Sequence, residues 1–169
     1  EHAALPSHVG VLEIEGRLCV LHPYIEGQPL SQRIARSGPM HINEARPLAE
    51  SILQALSALH EHRLAHGDLH LDNVLVARDA DGNQQLKLMD AGTDRLVARP
   101  RVVDGKSDEF NGSLASLLTA APEVLRGLAS DSRSDTYSFG ALLYHIVSGR
   151  PVFGRAAPIE HALGHLSRD

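Results

Sequence analysis

One short polar segment constrains this chain more than any other feature. The segment His66–Asn73 separates a long amphipathic helical pattern from a short apolar run. A second acidic group, Asp90, follows another apolar run about 17 residues after Asn73. Carboxylate and carboxamide oxygens at strand ends are suited to divalent metal ions and phosphates. The sequence therefore predicts that Asp68, Asn73 and Asp90 come together in one site.

Hydrophobic periodicity predicts two strong helices around this segment. The stretch Asn43–His62 places four apolar side chains on one face: Leu48, Ile52, Leu56 and Leu59. The stretch Asp135–Ser148 is apolar almost all round, which predicts deep burial. A shorter amphipathic helix is predicted at Leu30–Arg36, and a weak helix in the tail Val152–Asp169.

Short apolar runs predict four strands: Val9–Ile14, Arg17–Leu21, Val74–Val76 and Leu86–Met89. Turn residues predict that they pair as two hairpins, one about Glu15-Gly16 and one about Asp81-Gly82. Pro23 disfavours helix at the residue before it, so the stretch His22–Gly27 is expected to be extended. The stretch Arg99–Leu117 is rich in charge, glycine and serine, and it predicts a long surface loop.

Length and charge exclude several classes of protein. The 169 residues carry 21 acidic and 16 basic side chains, a net charge of -5, which argues against nucleic-acid binding by bulk charge. No run approaches the roughly 18 apolar residues that span a bilayer, so no membrane segment is expected. A single cysteine, Cys19, rules out an internal disulfide.

Four motifs together resemble one family. The segment His66–Asn73 resembles the H-R-D-L-x-x-x-N loop of eukaryotic-type serine/threonine protein kinases, and Asp90-Ala91-Gly92 resembles their D-F-G. Ala121-Pro122-Glu123 matches A-P-E, and Asp135–Gly140 resembles the start of the buried central helix of the kinase C-lobe. The motifs follow the family's order, with a long loop between the second and the third.

The resemblance implies an α+β, protein-kinase-like bilobal fold that is truncated, with a mostly helical C-lobe and a few N-lobe strands. Residues 1–25 would be the end of the N-lobe and the hinge, and residues 26–169 part of the C-lobe. The family's glycine-rich loop and strand lysine are not in the sequence. We therefore expect a fragment that also lacks the end of the C-lobe and is inactive in isolation.

The family's roles carry over to the matching residues. Asp68 would be the catalytic base that positions the substrate hydroxyl, and Ser116 would be the hydroxyl residue that contacts this base. Asn73 and Asp90 would bind the Mg²⁺ that bridges the ATP phosphates. Asp135 would accept hydrogen bonds from the catalytic-loop backbone. Backbone groups of the hinge would bind adenine: His22, Pro23 and Ile25.

The function that the resemblance implies is transfer of the ATP γ-phosphate to a serine or threonine of a protein substrate, with ATP and Mg²⁺ as cofactors, in the cytoplasm. His70 stands where protein kinases carry Lys, so a protonated His70 would neutralise the transferring phosphate and activity would rise below neutral pH. Gly67 replaces the Arg of H-R-D. Ala91 replaces the Phe of D-F-G, which leaves a gap.

Two other functions stay open at this point. The string His-Gly-Asp-Leu-His at residues 66–70 also resembles small-molecule kinases of the aminoglycoside and choline type. The substitutions at His70 and Ala91 also suit a pseudokinase that acts as a binding or regulatory module. Intact Asp68, Asn73 and Asp90 argue against the pseudokinase.

Overall fold

The computed structural model describes residues 2–6, 10–15, 17–79, 81–92, 102–103, 106–107, 114–154 and 157–167. The helices in this part of the chain are α1 (Leu30–Ser37), α2 (Ile42–Glu61), α3 (Pro122–Leu125), α4 (Ser132–Ser148) and α5 (Pro158–Ser167). Two further segments form single 3₁₀ turns, Leu71–Asn73 and Ser116–Leu118. Of the helices so described, none is both long and apolar enough to cross a membrane.

The strands form small antiparallel sheets. They are β1 (Gly10–Ile14), β2 (Arg17–Leu21), β3 (Gly27–Pro29), β4 (Val74–Arg78), β5 (Gln84–Leu88), β6 (Val102–Val103) and β7 (Lys106–Ser107). β1 pairs with β2, β6 pairs with β7, and β4 lies between β3 and β5. Both predicted hairpin pairings are confirmed, although position 16 of the first turn lies outside the described residues.

The second hairpin differs from its prediction at the turn. β4 and β5 meet at Arg78 and Gln84, so five residues connect them instead of the two-residue turn Asp81-Gly82. The Asp79 carboxylate organises this loop by accepting hydrogen bonds from the backbone N–H groups of Asp81 and Asn83, at 3.0 and 2.8 Å. A side-chain bond of this kind replaces the short turn that the Asp-Gly pair favours.

Three other elements depart from the sequence predictions. β3 is not among the predicted strands. It begins at Gly27, the last residue of the stretch expected to be extended, and it pairs with β4. The predicted strand end at Met89 is wrong by one residue, since β5 ends at Leu88. The predicted loop Arg99–Leu117 is also wrong at its end, because Ser116 and Leu117 are buried in a 3₁₀ turn. Most of the rest of that loop lies outside the described residues.

Helix α2 confirms its prediction within one residue, but α4 begins three residues earlier than predicted. Asp131 caps α4, because its carboxylate accepts hydrogen bonds from the backbone N–H of Arg133 and of Ser134 at 2.8 and 3.1 Å. The predicted burial all round α4 is wrong. Tyr137 and Tyr144 are 39% and 38% exposed, so the helix has a solvent face.

The main core lies between the β3–β4–β5 sheet and the helices α1, α2 and α4. Its most buried side chains include Leu30, Ile52, Leu69, Val74, Leu88, Leu142 and Ile146. Ala4 belongs to the same core, and the Leu88 N–H donates to the Ala4 carbonyl at 2.7 Å. The start of the chain thus packs beside β5, and the division at residue 25 stays a prediction.

A smaller core joins α3 and α5 to the 3₁₀ turn Ser116–Leu118. His165 of α5 connects this core to α4. Its Nδ1 lies 2.6 Å from the Tyr137 hydroxyl, and its Nε2 lies 3.2 Å from the Leu118 carbonyl oxygen. A neutral ring satisfies both contacts, with the hydroxyl donating to Nδ1 and Nε2–H donating to the carbonyl. Burial lowers the pKa of His165, and burial likewise lowers the pKa of His145.

We expect the protein to lose stability as the pH falls from about 7 to about 5. The pKa values of His66, His145 and His165 lie below the ordinary value of 6.5, chiefly because of burial. As the pH falls through 6.5, the unfolded chain therefore takes up protons that the folded chain does not. The free energy of unfolding should fall by about 1 kcal/mol or more.

Urea denaturation at a series of pH values measures this effect. The variant His165→Gln removes one of the three groups, so its free energy of unfolding should depend less steeply on pH, whatever its absolute stability. A free energy that stays constant across the same interval in the unaltered protein would contradict the prediction.

Candidate active site

The segment after α2 is held in place by one buried carboxylate. Asp135 of α4 is 1% exposed. It accepts hydrogen bonds from the backbone N–H of His66 at 2.7 Å and of Gly67 at 2.9 Å. The predicted contact of Asp135 with this loop is confirmed. His60 Nε2 lies 2.8 Å from the same carboxylate, a contact that the sequence did not predict.

Gly67 sits at the bend of this loop. Its φ is 81°, in the left-handed region where a side chain is strained and glycine is not. The N–H of Gly67 and the N–H of the preceding His66 both donate to Asp135. Gly67 is therefore suited to the local backbone conformation.

Asp68 follows this bend with its side chain 32% exposed. Burial by itself would raise its pKa, but hydrogen bonds from His70 and Ser116 outweigh burial and lower the pKa of Asp68 below its usual range. The carboxylate is therefore ionised at neutral pH, partly open, and held by two neighbours. A group in this state can orient a hydroxyl and accept its proton.

His70 lies under Asp68 and is 3% exposed. Its Nδ1 accepts from the Asp72 backbone N–H at 3.2 Å, so the ring proton of the neutral form is on Nε2. Nε2 lies 3.5 Å from Asp68 Oδ2. The family resemblance assigned His70 to the transferring phosphate. That role stays a prediction; in the structure Nε2 faces the Asp68 carboxylate.

Asn73 ends the 3₁₀ turn that follows. Its side-chain Nδ2 donates to the Asp68 carbonyl at 2.9 Å, and its own carbonyl accepts from the Met89 N–H at 2.8 Å. The first bond assigns the amide nitrogen to the loop, so the side-chain oxygen Oδ1 is the atom available to a cation. The second bond ties Asn73 to the end of β5.

Asp90 comes directly after this tie. Its φ is 59°, a left-handed conformation that Asp adopts more readily than most residues. A second backbone hydrogen bond follows two residues later, where the Gly92 N–H donates to the His66 carbonyl at 2.8 Å. Asp90 is therefore fixed between two backbone bonds to the loop at residues 66–73, with its side chain 43% exposed. Asp68, Asn73 and Asp90 lie together, as predicted.

Residues 22–26 form an irregular segment between β2 and β3, where Tyr24 is 92% exposed. Pro23 is exposed and Ile25 is partly buried, which leaves this segment open to a ligand. The side chain of His22 turns to the site itself, with its Nε2 3.5 Å from Asp90 Oδ1. The sequence did not predict this contact.

The 3₁₀ turn at Ser116 closes the other side of the site. Ser116 is 8% exposed and hydrogen-bonds to Asp68 through its side chain. Thr119 donates its Oγ1 to the Leu69 carbonyl at 2.8 Å, so two successive loop positions are tied to this turn. The position of Ser116 agrees with the sequence prediction, whereas Thr119 was missed because nothing local distinguishes it.

The oxygen donors fit a hard cation with bound phosphates. Asn73 supplies a carboxamide oxygen and Asp90 a carboxylate, and both are fixed by backbone bonds. Mg²⁺ takes one or two carboxylates from a protein and completes its shell with water and phosphate oxygens. The site therefore has the composition of a magnesium–phosphate site, and the exposed segment at 22–26 lies within reach of it through His22.

A cavity lies beside Ala91, where the sequence predicted a gap. Its volume is about 160 Å³, and it is lined by Leu5, Pro6, Val20, His22, Leu59, Asp90 and Ala91. The prediction that Ala91 leaves unfilled space is therefore confirmed. Most of the lining is apolar, so a larger apolar side chain at position 91 has a surface to pack against.

We expect Ala91→Phe to raise the free energy of unfolding by about 0.5–2 kcal/mol, because the ring fills apolar space that is now empty. Urea denaturation measures the change. Ala35→Phe is the matched control: Ala35 is exposed on α1, so the same added ring gains no burial there. An equal or larger loss of stability in Ala91→Phe than in the control would contradict the prediction.

Known proteins resemble this chain over nearly its whole length. Serine/threonine-protein kinase pkn2 of Myxococcus xanthus is 33% identical over 167 residues, which cover 99% of this chain and 20% of the relative. Serine/threonine-protein kinase PkaA of Streptomyces coelicolor is 35% identical over 159 residues, with 94% and 28% covered. The chain thus spans between 20% and 28% of the length of these relatives.

The crystal structure of the Mycobacterium tuberculosis PknI kinase domain shares the fold, with a TM-score of 0.69 over 92% of this chain and 54% of that chain, at 23% identity. The predicted truncated, protein-kinase-like α+β fold is therefore confirmed. The protein kinase domain family also matches the sequence from residue 1 to residue 166. A match of that extent, on a chain whose loop and strand ends converge as described, means that the chain belongs to the protein kinase domain family.

Proposed function

We propose that this chain carries the catalytic centre of a serine/threonine protein kinase, which transfers the γ-phosphate of ATP to a serine or threonine hydroxyl of a protein. One observation carries the proposal: an ionised, partly exposed Asp68 is held by Ser116 and His70 beside Asn73 and Asp90. The resemblance to bacterial serine/threonine-protein kinases supports the choice of substrate.

In this reaction the substrate oxygen forms a bond to the γ-phosphorus while the bond from that phosphorus to the β,γ-bridging oxygen breaks, and ADP leaves. Asp68 orients the hydroxyl and takes its proton as the new bond forms. Its lowered pKa keeps it unprotonated before the reaction. Ser116 and His70 both interact with the carboxylate, so the base needs little reorganisation.

Asn73 Oδ1 and the Asp90 carboxylate would hold Mg²⁺. When bound, the ion supplies positive charge to the β- and γ-phosphate oxygens. The exposed segment from His22 to Ile25 would bind the adenine through its backbone groups. Since ATP is the donor, we place the reaction in the cytoplasm.

Labelled-ATP transfer by the full-length protein tests this function. The acceptors are matched peptides that differ only in a central Ser, Thr or Tyr, together with aminoglycosides and choline. We expect label on the Ser and Thr peptides, a smaller signal on the Tyr peptide, and loss of all signal when EDTA removes Mg²⁺.

Other results point to the alternative functions. Label on aminoglycosides or choline alone would assign the protein to small-molecule phosphotransfer, toward which the string at residues 66–70 also points. Binding of ATP without transfer to any acceptor would assign it to the pseudokinases. Each of these results would overturn the proposal.

A further inference from the structure

Three arginines line a groove beside α1 that contains none of Asp68, Asn73 and Asp90. Its volume is about 860 Å³. We call it the arginine groove and define it by Arg33, Arg36 and Arg78; Glu26 also lines it. The floor and walls are completed by Gly27, Gln28, Ser37, Val76, Ala77 and Gln84.

The fold brings these arginines together from two separate elements. Arg33 and Arg36 are three residues apart on α1, so they lie on one face, while Leu30 and Ile34 are buried in the core. Arg78 ends β4, where β3 pairs Gly27 with Ala77. A Cβ at Gly27 would lie 3.0 Å from the Val76 carbonyl oxygen, so glycine permits this close pairing.

The groove carries positive charge on an acidic protein. Arg33 contacts Glu44 at 3.3 Å, and Arg78 donates to the Gly82 carbonyl at 2.7 Å. Within the described residues, Arg36 has neither a hydrogen bond nor an ion pair. The lining thus contributes three positive charges from the arginines and one negative charge from Glu26. The whole chain, in contrast, has a net charge of -5.

The concave surface continues past Arg33. A second cavity of about 360 Å³ shares Arg33 and Gln84 with the first. It is otherwise lined by Glu44, Pro47, Leu48, Ser51 and Leu86. The second cavity adds the carboxylate of Glu44 and apolar side chains, and the two cavities together are larger than a single small anion would fill.

We propose that the arginine groove docks an acidic segment of a protein partner, whose Asp and Glu side chains pair with the guanidinium groups. The three guanidiniums come from separate positions, and two are already held by Glu44 and by the Gly82 carbonyl. They therefore match carboxylates spaced along an extended chain, whereas one phosphate group needs donors that converge on a point. The inference goes beyond the proposed function, since binding here needs no phosphoryl transfer.

Helix α1 also contacts the catalytic loop. The Ser31 hydroxyl donates to the Asp72 carboxylate, and the Asp72 N–H donates to His70. The helix that presents Arg33 and Arg36 is therefore joined to the loop that carries Asp68. A segment bound in the arginine groove would be held next to the candidate active site.

Fluorescence anisotropy of labelled decapeptides tests the proposal on the full-length protein. One peptide alternates Glu with Ser, and its uncharged control alternates Gln with Ser. We expect the Glu peptide to bind, the Gln peptide not to bind, and binding to weaken as salt is added. The double variant Arg36→Gln/Arg78→Gln should weaken binding by at least about tenfold, because charge-assisted bonds are lost.

Arg46→Gln is the matched control, since Arg46 is an exposed arginine of α2 that lies outside the groove and pairs with Glu50. It should leave the affinity unchanged. Equal loss in both variants, or equal binding of the Glu and Gln peptides, would overturn the proposal. A preference for a singly phosphorylated Ser peptide over the Glu peptide would also overturn it, in favour of a phosphate site. None of these readouts depends on kinase activity.

Discussion

Replacing Asp68 with Asn is expected to lower the rate of phosphoryl transfer by about 10²–10⁴-fold, the usual contribution of a positioned general base. Asn has nearly the shape of Asp and can still accept a hydrogen bond from Ser116 or His70, but it cannot take the substrate proton. The loss should appear in kcat, because in the proposed function Asp68 would contact the acceptor hydroxyl and other groups would hold the nucleotide.

Asp81→Asn is the matched control for this substitution. Asp81 is exposed in the loop between β4 and β5 and takes no part in the site. It should leave turnover unchanged, because the same replacement of Asp by Asn at this position is far from the bound substrate. Turnover of Asp68→Asn within about threefold of the unaltered protein would remove Asp68 from the role of base, since a base contributes far more than that.

The part of the site that could be predicted is local in sequence. Asp68 and Asn73 are five residues apart in one loop, and Asp90 comes two residues after the end of β5, the strand that pairs with β4. A hairpin register and the ends of two neighbouring strands are enough to bring these residues together. The same local reasoning predicted α2, whose apolar periodicity runs from Leu48 to Leu59.

The parts that escaped prediction depend on contacts between distant segments. His60 and Asp135 are 75 positions apart, and their contact follows only from the packing of α2 against α4. The contact between His22 and Asp90 likewise depends on the course of residues 22–26, which form an irregular segment without hydrophobic periodicity. The arginine groove needs both the face of α1 and the pairing of β3, a strand of three residues that no sequence pattern marked.

Removal of the Asp135 carboxylate should have the largest effect on stability. We expect Asp135→Ala to lower the free energy of unfolding by about 2–5 kcal/mol, because unpaired buried donors each cost about 1–3 kcal/mol. The substitution leaves the backbone N–H of His66 and of Gly67 without their acceptor, and it also removes the partner of His60. His66 is fully buried, so water cannot readily replace the carboxylate there.

Asp131→Ala is the control on the same helix. Asp131 caps α4 at its exposed end, so its loss should cost only about 1 kcal/mol. Both residues place a carboxylate near the start of α4, and both substitutions remove a similar interaction with the helix dipole. Urea denaturation of the two variants therefore isolates the cost of the buried N–H groups. Equal losses at the two positions would mean that Asp135 acts only as a helix-start charge, and that the loop bearing Asp68 is held by other contacts.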